Sequence, residues 1–253
     1  MMKKFLSVAL VACGLLSMSA CKTAMHVSEV SGWMIPVDST WDAKPNEEAV
    51  AVIRPYKQAL DSVMDKKLGV SAMTMANSRP EDLLQNLVAD ILREAAIPTL
   101  GHEADMGLIN IGGLRNVLPE GDVTLGNVFE ILPFENALCI MTLDGATLRE
   151  LLAAIAARGG EGVSGVNIVM SKDRKLLDCS VAGQPVDDNK LYTLATIDYL
   201  AEGNDGMTPL TKAKSEVYPE NGVIRDVFIN YLMRKNASGE ALTSKIEGRI
   251  VVK

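Results

Sequence analysis

Residues 110 to 136 hold the side chains best suited to chemistry in this chain. Asn110-Ile-Gly112-Gly113-Leu-Arg115 is followed by Gly121-Asp122-Val-Thr124 and then by Pro133-Phe134-Glu-Asn136. Paired glycines let a backbone approach a ligand closely. Arg115 follows at once with a permanent charge and a planar fork matched to phosphate. About twenty residues on come an aromatic ring and a carboxamide. Guanidinium, ring and amide are the parts needed to hold a nucleotide. The chain has two histidines, His26 and His102, and no paired His/Asp spacing from which a hydrolytic metal centre could be built. The pattern predicts a protein that binds without carrying the group that cuts.

A second polar cluster, Asp198-Tyr199-Leu-Ala-Glu-Gly203-Asn204-Asp205-Gly206, follows a strand-like run. Alone it reads as a surface loop. Beside Phe134 it reads otherwise, because rings from separate loops can sandwich a base and a carboxylate can accept from ribose hydroxyls. His102, with Glu103 and Asp105 nearby, admits a metal reading, but a turn residue after Gly101 is the simpler role.

These groups need elements to place them. Met106 to Ile111 reads as a strand that delivers the glycine loop, and Tyr192 to Ile197 as the strand before the second cluster. Further strands are predicted at 68–75, 137–143, 166–170, 177–181 and 248–252. Glu47 to Lys67 has the apolar spacing of a helix, with Ile53, Tyr56, Leu60, Val63 and Met64 on one face and Pro55 near its start. Ser78 and Glu81 have the spacing of a capping box, with Pro80 in the first turn. The stripe from Leu83 to Ala95 then forms a helix that Pro98 should end. Asn86 and Asp90 on that helix face either a pocket or solvent. Thr124 is a predicted N-cap for a helix to Ile131. Helices are also predicted at 147–157, stopped by Gly159-Gly160, and at 223–234. The mixture gives an α/β or α+β class.

The first twenty residues read as a leader. Lys3 and Lys4 precede the apolar run Phe5–Leu16, which is short for a bilayer span. Small residues then lead to Cys21, the pattern of a bacterial lipoprotein signal in which Cys21 becomes the acylated N-terminus; an ordinary secretory signal cut near Ala20 is the plainer alternative. Residues 21–45 read as a tether whose Trp33 and Trp41 are expected to dock on the domain formed by residues 46–253. The formal charge is −7, which disfavours nucleic-acid polymers as partners. Cys139 and Cys179 are either a disulfide, permitted in an oxidising envelope compartment, or two buried thiols.

The ordered motifs together resemble the C-terminal domain of the 5′-nucleotidase family. They run from Asn110-x-Gly112-Gly113-Leu-Arg115 through Gly121-Asp122-Val-Thr124, Leu132-Pro133-Phe134-x-Asn136, Thr142-Leu-Asp-Gly145 and Val163-Ser164-Gly165 to Tyr192-x-Leu-Ala195-Thr196-x-Asp-Tyr199 and Gly203-Asn204-Asp205-Gly206. The likeness covers roughly residues 70 to 253. It implies a four-layer α-β-β-α fold that recognises the substrate. Phe134 and Tyr199 would clamp the base, with Tyr199 where the family usually has Phe. Asn136 would touch the base, Asp205 the ribose, and Arg115 the phosphate or its neighbourhood, with Asn110, Gly112 and Gly113 forming the adjoining wall. The family places further arginines before its early helix; the nearest here is Arg79, while Glu81 stands in the expected position.

Full-length members carry a two-metal phosphoesterase domain that this sequence lacks. The resemblance therefore implies a nucleotide- or nucleoside-recognition unit with no cofactor of its own. Divalent metals would belong to a separate metallophosphoesterase partner, and the lipid anchor would hold the chain in the cell envelope, on the periplasmic side of the outer membrane. The alternatives are a nucleotide-binding lipoprotein that joins no hydrolase, and an interaction module that has kept the fold without the ligand.

Overall fold

The computed structural model describes residues 27–253; the expected leader, Cys13, Cys21 and His26 lie outside the described residues. Residues 27–46 are exposed, and their one helical element is a 3-10 turn at Ser39–Trp41, capped by Asp38. Trp33 and Trp41, expected to dock, are both exposed. The Trp41 indole N–H donates to the Pro36 carbonyl in its own segment, at 2.6 Å.

Helix α1 (Glu47–Met64) forms over most of the predicted span, with Pro55 inside it. It contains no buried residue. Ile53, Tyr56, Leu60 and Val63, expected to face inward, are exposed. The helical period is present, but no described surface covers the stripe.

After β1 (Lys67–Ser71), helix α2 (Leu83–Ala95) begins later than the predicted capping box. Arg79 precedes a proline, and such residues are driven out of helical backbone. Asp82 is the cap, its carboxylate accepting from the Leu83 amide at 2.7 Å. Ser78 donates to Asp82. Glu81 instead accepts from the Asn86 side chain and from the amides of Glu247 and Arg249. Pro98 does not end α2; it sits in the first turn of the short α3 (Ile97–Leu100).

The remaining elements follow in order. They are β2 (Met106–Ile109), β3 (Gly121–Thr124), α4 (Leu125–Ile131), β4 (Leu138–Asp144), α5 (Gly145–Ala157), β5 (Gly162–Ser164), β6 (Val166–Met170), β7 (Leu176–Val181), β8 (Gln184–Pro185), β9 (Leu191–Ile197), α6 (Asp198–Ala201), β10 (Ser215–Val217), α7 (Ile224–Ala237) and β11 (Ile250–Val252). Thr124 caps α4 as predicted, in a reciprocal box with Asn127. Gly159 and Gly160, at φ +86° and +108°, stop α5 in backbone that glycine adopts without strain. No described helix is long and apolar enough to cross a membrane.

The chain has the mixed α/β class, with a five-stranded sheet ordered β10-β4-β9-β2-β5, a four-stranded sheet ordered β11-β6-β7-β8, and a β1-β3 ribbon. Helix α2 lies so close to β2 that a methyl group on Gly107 would collide with the Ala89 carbonyl. The register of the larger sheet positions the site. Strand β2 runs parallel to β9, with Met106 beside Leu194. Strand β4 runs antiparallel to β9, with Leu138 beside Ile197. The end of β2, the end of β9 and the start of β4 therefore meet at one end of the sheet.

Candidate functional site

That convergence brings three loops together. Asn110 leaves β2, Tyr199 follows β9, and Phe134 and Asn136 precede β4. Asn110, Gly112, Gly113, Phe134, Asn136, Tyr199 and Asp205 line one cavity of about 290 Å³. Phe134 is 49% exposed and Tyr199 40%, so neither ring belongs to the apolar core and both line the cavity. The Asn136 carboxamide makes no side-chain hydrogen bond among the described residues, whereas its backbone carbonyl accepts from the Ile224 amide.

Asp205 is held from two sides. Asn110 Nδ2 donates to its Oδ2 at 2.7 Å, and Arg158 Nη2 lies 3.6 Å from its Oδ1. Its backbone sits at φ +53° between Gly203 and Gly206, both also left-handed. Aspartate tolerates this region better than most residues, at a cost of roughly 1–2 kcal/mol. The Asn110 Oδ1 atom is buried with no partner.

The two predicted arginines lie elsewhere. Arg115 is exposed and donates to the Gly112 carbonyl at 3.2 Å, so it adjoins the cavity without lining it. Arg79 points to a different carboxylate: its Nη2 is 2.6 Å from Glu161 Oε1, and its Nε donates to the Gly160 carbonyl. Glu161 has a fully buried side chain. It also accepts from Arg158 Nε at 2.7 Å and from the Ile111 amide at 2.7 Å. The hydrogen bond to Glu161, more than any other contact, raises the pKa of Arg158.

Sequence reading missed Glu161, Arg158 and Arg225. Arg225, on α7, is buried; it donates to the carbonyls of Leu132, Pro133 and Phe134 and stacks its guanidinium 4.1 Å from the Phe129 ring centroid. It thereby fixes the backbone that carries the Phe134 ring. A charged residue beside Ile224 and near Phe228 on an otherwise apolar helix face is the available signal.

Asn86 and Asp90 are structural. Asn86 is buried against Glu81 and the Lys245 carbonyl, and Asp90 binds Ser164 and Arg249. His102 is an exposed turn residue beside the Glu103 carbonyl. Among the described residues no group of three or more His, Cys, Asp or Glu side chains could hold a metal. Cys139 and Cys179 are separate buried thiols, so the disulfide alternative is not realised.

Likeness to known proteins gives the family. Residues 63–212, more than half of the chain, match the sequence model of the 5′-nucleotidase C-terminal domain. The chain belongs to that family. Protein UshA of Yersinia enterocolitica is 25% identical over 232 residues, covering 90% of this chain and 42% of the relative. Cell wall protein Lmo0130 of Listeria monocytogenes is 25% identical over 243 residues, 85% of this chain and 30% of its own. The crystal structure of a 5′-nucleotidase precursor from Thermus thermophilus superposes with a TM-score of 0.72 at 25% identity, covering 82% of this chain and 43% of that one. The chain thus spans less than half the length of these relatives.

Proposed function

We propose that this domain recognises a nucleotide or nucleoside and acts with a separate metallophosphoesterase in nucleotide hydrolysis. Phe134 and Tyr199 stack on the base, Asn136 contacts its edge, and Asp205 accepts from the ribose. Arg115 stands toward the 5′ end. The observation that carries this reading is the single cavity in which two half-exposed rings meet an unpaired carboxamide and a fixed carboxylate. In this reading the metals and the attacking water belong to the partner; the chain itself spans less than half the length of its relatives. Anchoring through Cys21 in the envelope, on the periplasmic side of the outer membrane, is part of the same proposal; the name of the Listeria relative, a cell wall protein, is in keeping with an envelope location.

Calorimetry with a panel of nucleosides and nucleotides tests the recognition step. Phe134→Ala should weaken binding by about 1–3 kcal/mol, the usual value of one base–aromatic stack. An unchanged Kd removes the ring from the site. Adding the chain to a candidate metallophosphoesterase tests the second step, and an unaltered hydrolysis rate rejects that partnership. The second reading, a binding lipoprotein that joins no hydrolase, is favoured by one observation: Arg79 is committed to Glu161 and leaves the phosphate end thinly provided.

A further inference from the structure

We infer that the ligand class of this cavity is the nucleoside moiety itself, and that phosphates on its 5′ carbon contribute little to affinity. The inference rests on the recognition reading above and narrows it.

The cavity wall contains one charged side chain, and it is an acid, Asp205. Phosphate recognition needs guanidinium forks with free edges or a nest of unspent backbone amides. Three arginines lie in the neighbourhood, and none lines the cavity. Arg79 and Arg158 both bind the same oxygen of buried Glu161. Two guanidiniums opposite Glu161 and Asp205 leave no net positive charge at that wall. Arg115 is exposed and turned back on the Gly112 carbonyl.

The glycine loop offers no substitute. The Ile111 amide donates to Glu161, the Gly113 amide to the Asn110 carbonyl, and the Leu114 amide to the Ile111 carbonyl. These three donors are spent inside the protein, and the one amide of the loop left over, that of Gly112, is a single donor and makes no nest. What remains open matches an uncharged ligand: two ring faces, the Asn136 carboxamide, and a carboxylate with acceptor capacity beyond its Asn110 bond. The volume agrees, because about 290 Å³ lies at the bottom of the range for small-molecule pockets, roughly 300–1,000 Å³. A base and a pentose fill such a space, and a phosphate chain attached to them would extend past Arg115 into solvent.

The test is calorimetry on the intact chain with adenosine, guanosine, cytidine and uridine, followed by the 5′-monophosphate and 5′-diphosphate of whichever binds best. The expected result is that nucleoside, monophosphate and diphosphate agree within about fivefold, the most that an exposed ion pair contributes. Raising the salt concentration should leave the nucleoside Kd unchanged and close the remaining gap. A monophosphate that binds more than about tenfold tighter than its nucleoside overturns the inference and leaves the recognition reading standing. If neither nucleosides nor nucleotides bind, both fall together.

Discussion

Glu161 is the acceptor on which the wall of the cavity depends, and Glu161→Gln isolates its charge. The side chain is fully buried, whereas Arg79 and Arg158 keep 37% and 34% of their side-chain surface. Its two oxygens accept at 2.6, 2.7 and 2.7 Å from Arg79, Arg158 and the Ile111 amide. Glutamine preserves the shape but loses one acceptor and points its own N–H groups at donors. Breaking a buried ion pair from one side costs about 3–5 kcal/mol. Water reaches both guanidiniums here, so solvent screening reduces the expected loss to about 2–3 kcal/mol. Urea unfolding monitored by circular dichroism reads this as a lower midpoint at constant slope. The Ile111 amide begins the turn that carries Gly112 and Gly113, so nucleoside affinity should fall as well. A stability loss below about 1 kcal/mol with unchanged affinity refutes the reasoning, since a fully desolvated three-way acceptor cannot be that cheap to neutralise.

Other outcomes follow from the same structure. Arg225→Ala should weaken nucleoside binding by roughly tenfold through a looser Phe134 backbone; Arg225→Lys, which lacks the planar fork for three carbonyls, should recover little of it, and full recovery by lysine argues against a positioning role. Gly107→Ala should destabilise the fold by about 1–3 kcal/mol, because its methyl group meets backbone rather than a movable side chain; thermal melting reads it. Burial pushes the Cys139 thiol up to about 11, so native protein at neutral pH should resist a thiolate-directed reagent at that residue until urea is added. The unfolded thiol ionises first. Its contribution to stability is therefore complete below about pH 9 and is lost as pH rises toward 11.

Local signals are legible in the sequence and distant partners are not. Thr124 with Asn127, the apolar stripe of α2, and Gly159-Gly160 behave as their sequence chemistry dictates, because caps and periodicity act over a few residues. Seven of the nine expected ligand residues share one cavity, since each belongs to a turn at the end of a readable strand. Strands β5 and β10, three residues each, are too short to announce themselves. The start of α2 departs from the expected capping box because Ser78 and Glu81 have the right spacing while Pro80 bars Arg79 from helical backbone. Arg79 turns away from the cavity because its partner is Glu161, 82 residues along the chain and beyond the reach of local pattern. Arg225 shows only as a charge on an apolar helix face, because the carbonyls it grips lie 91 to 93 residues away.

The parallel pairing of β2 with β9 has a consequence for how the protein is made. Asn110 and Asp205 meet across 95 residues of chain, and that contact needs the sheet's middle strands to be assembled first. Loop closure of this length comes late in folding. A cavity lined by both residues is therefore complete only once β2 and β9 have paired. A bound small molecule would act as a reporter of completed assembly, raising the melting temperature of finished chains while leaving truncated or partly folded ones untouched.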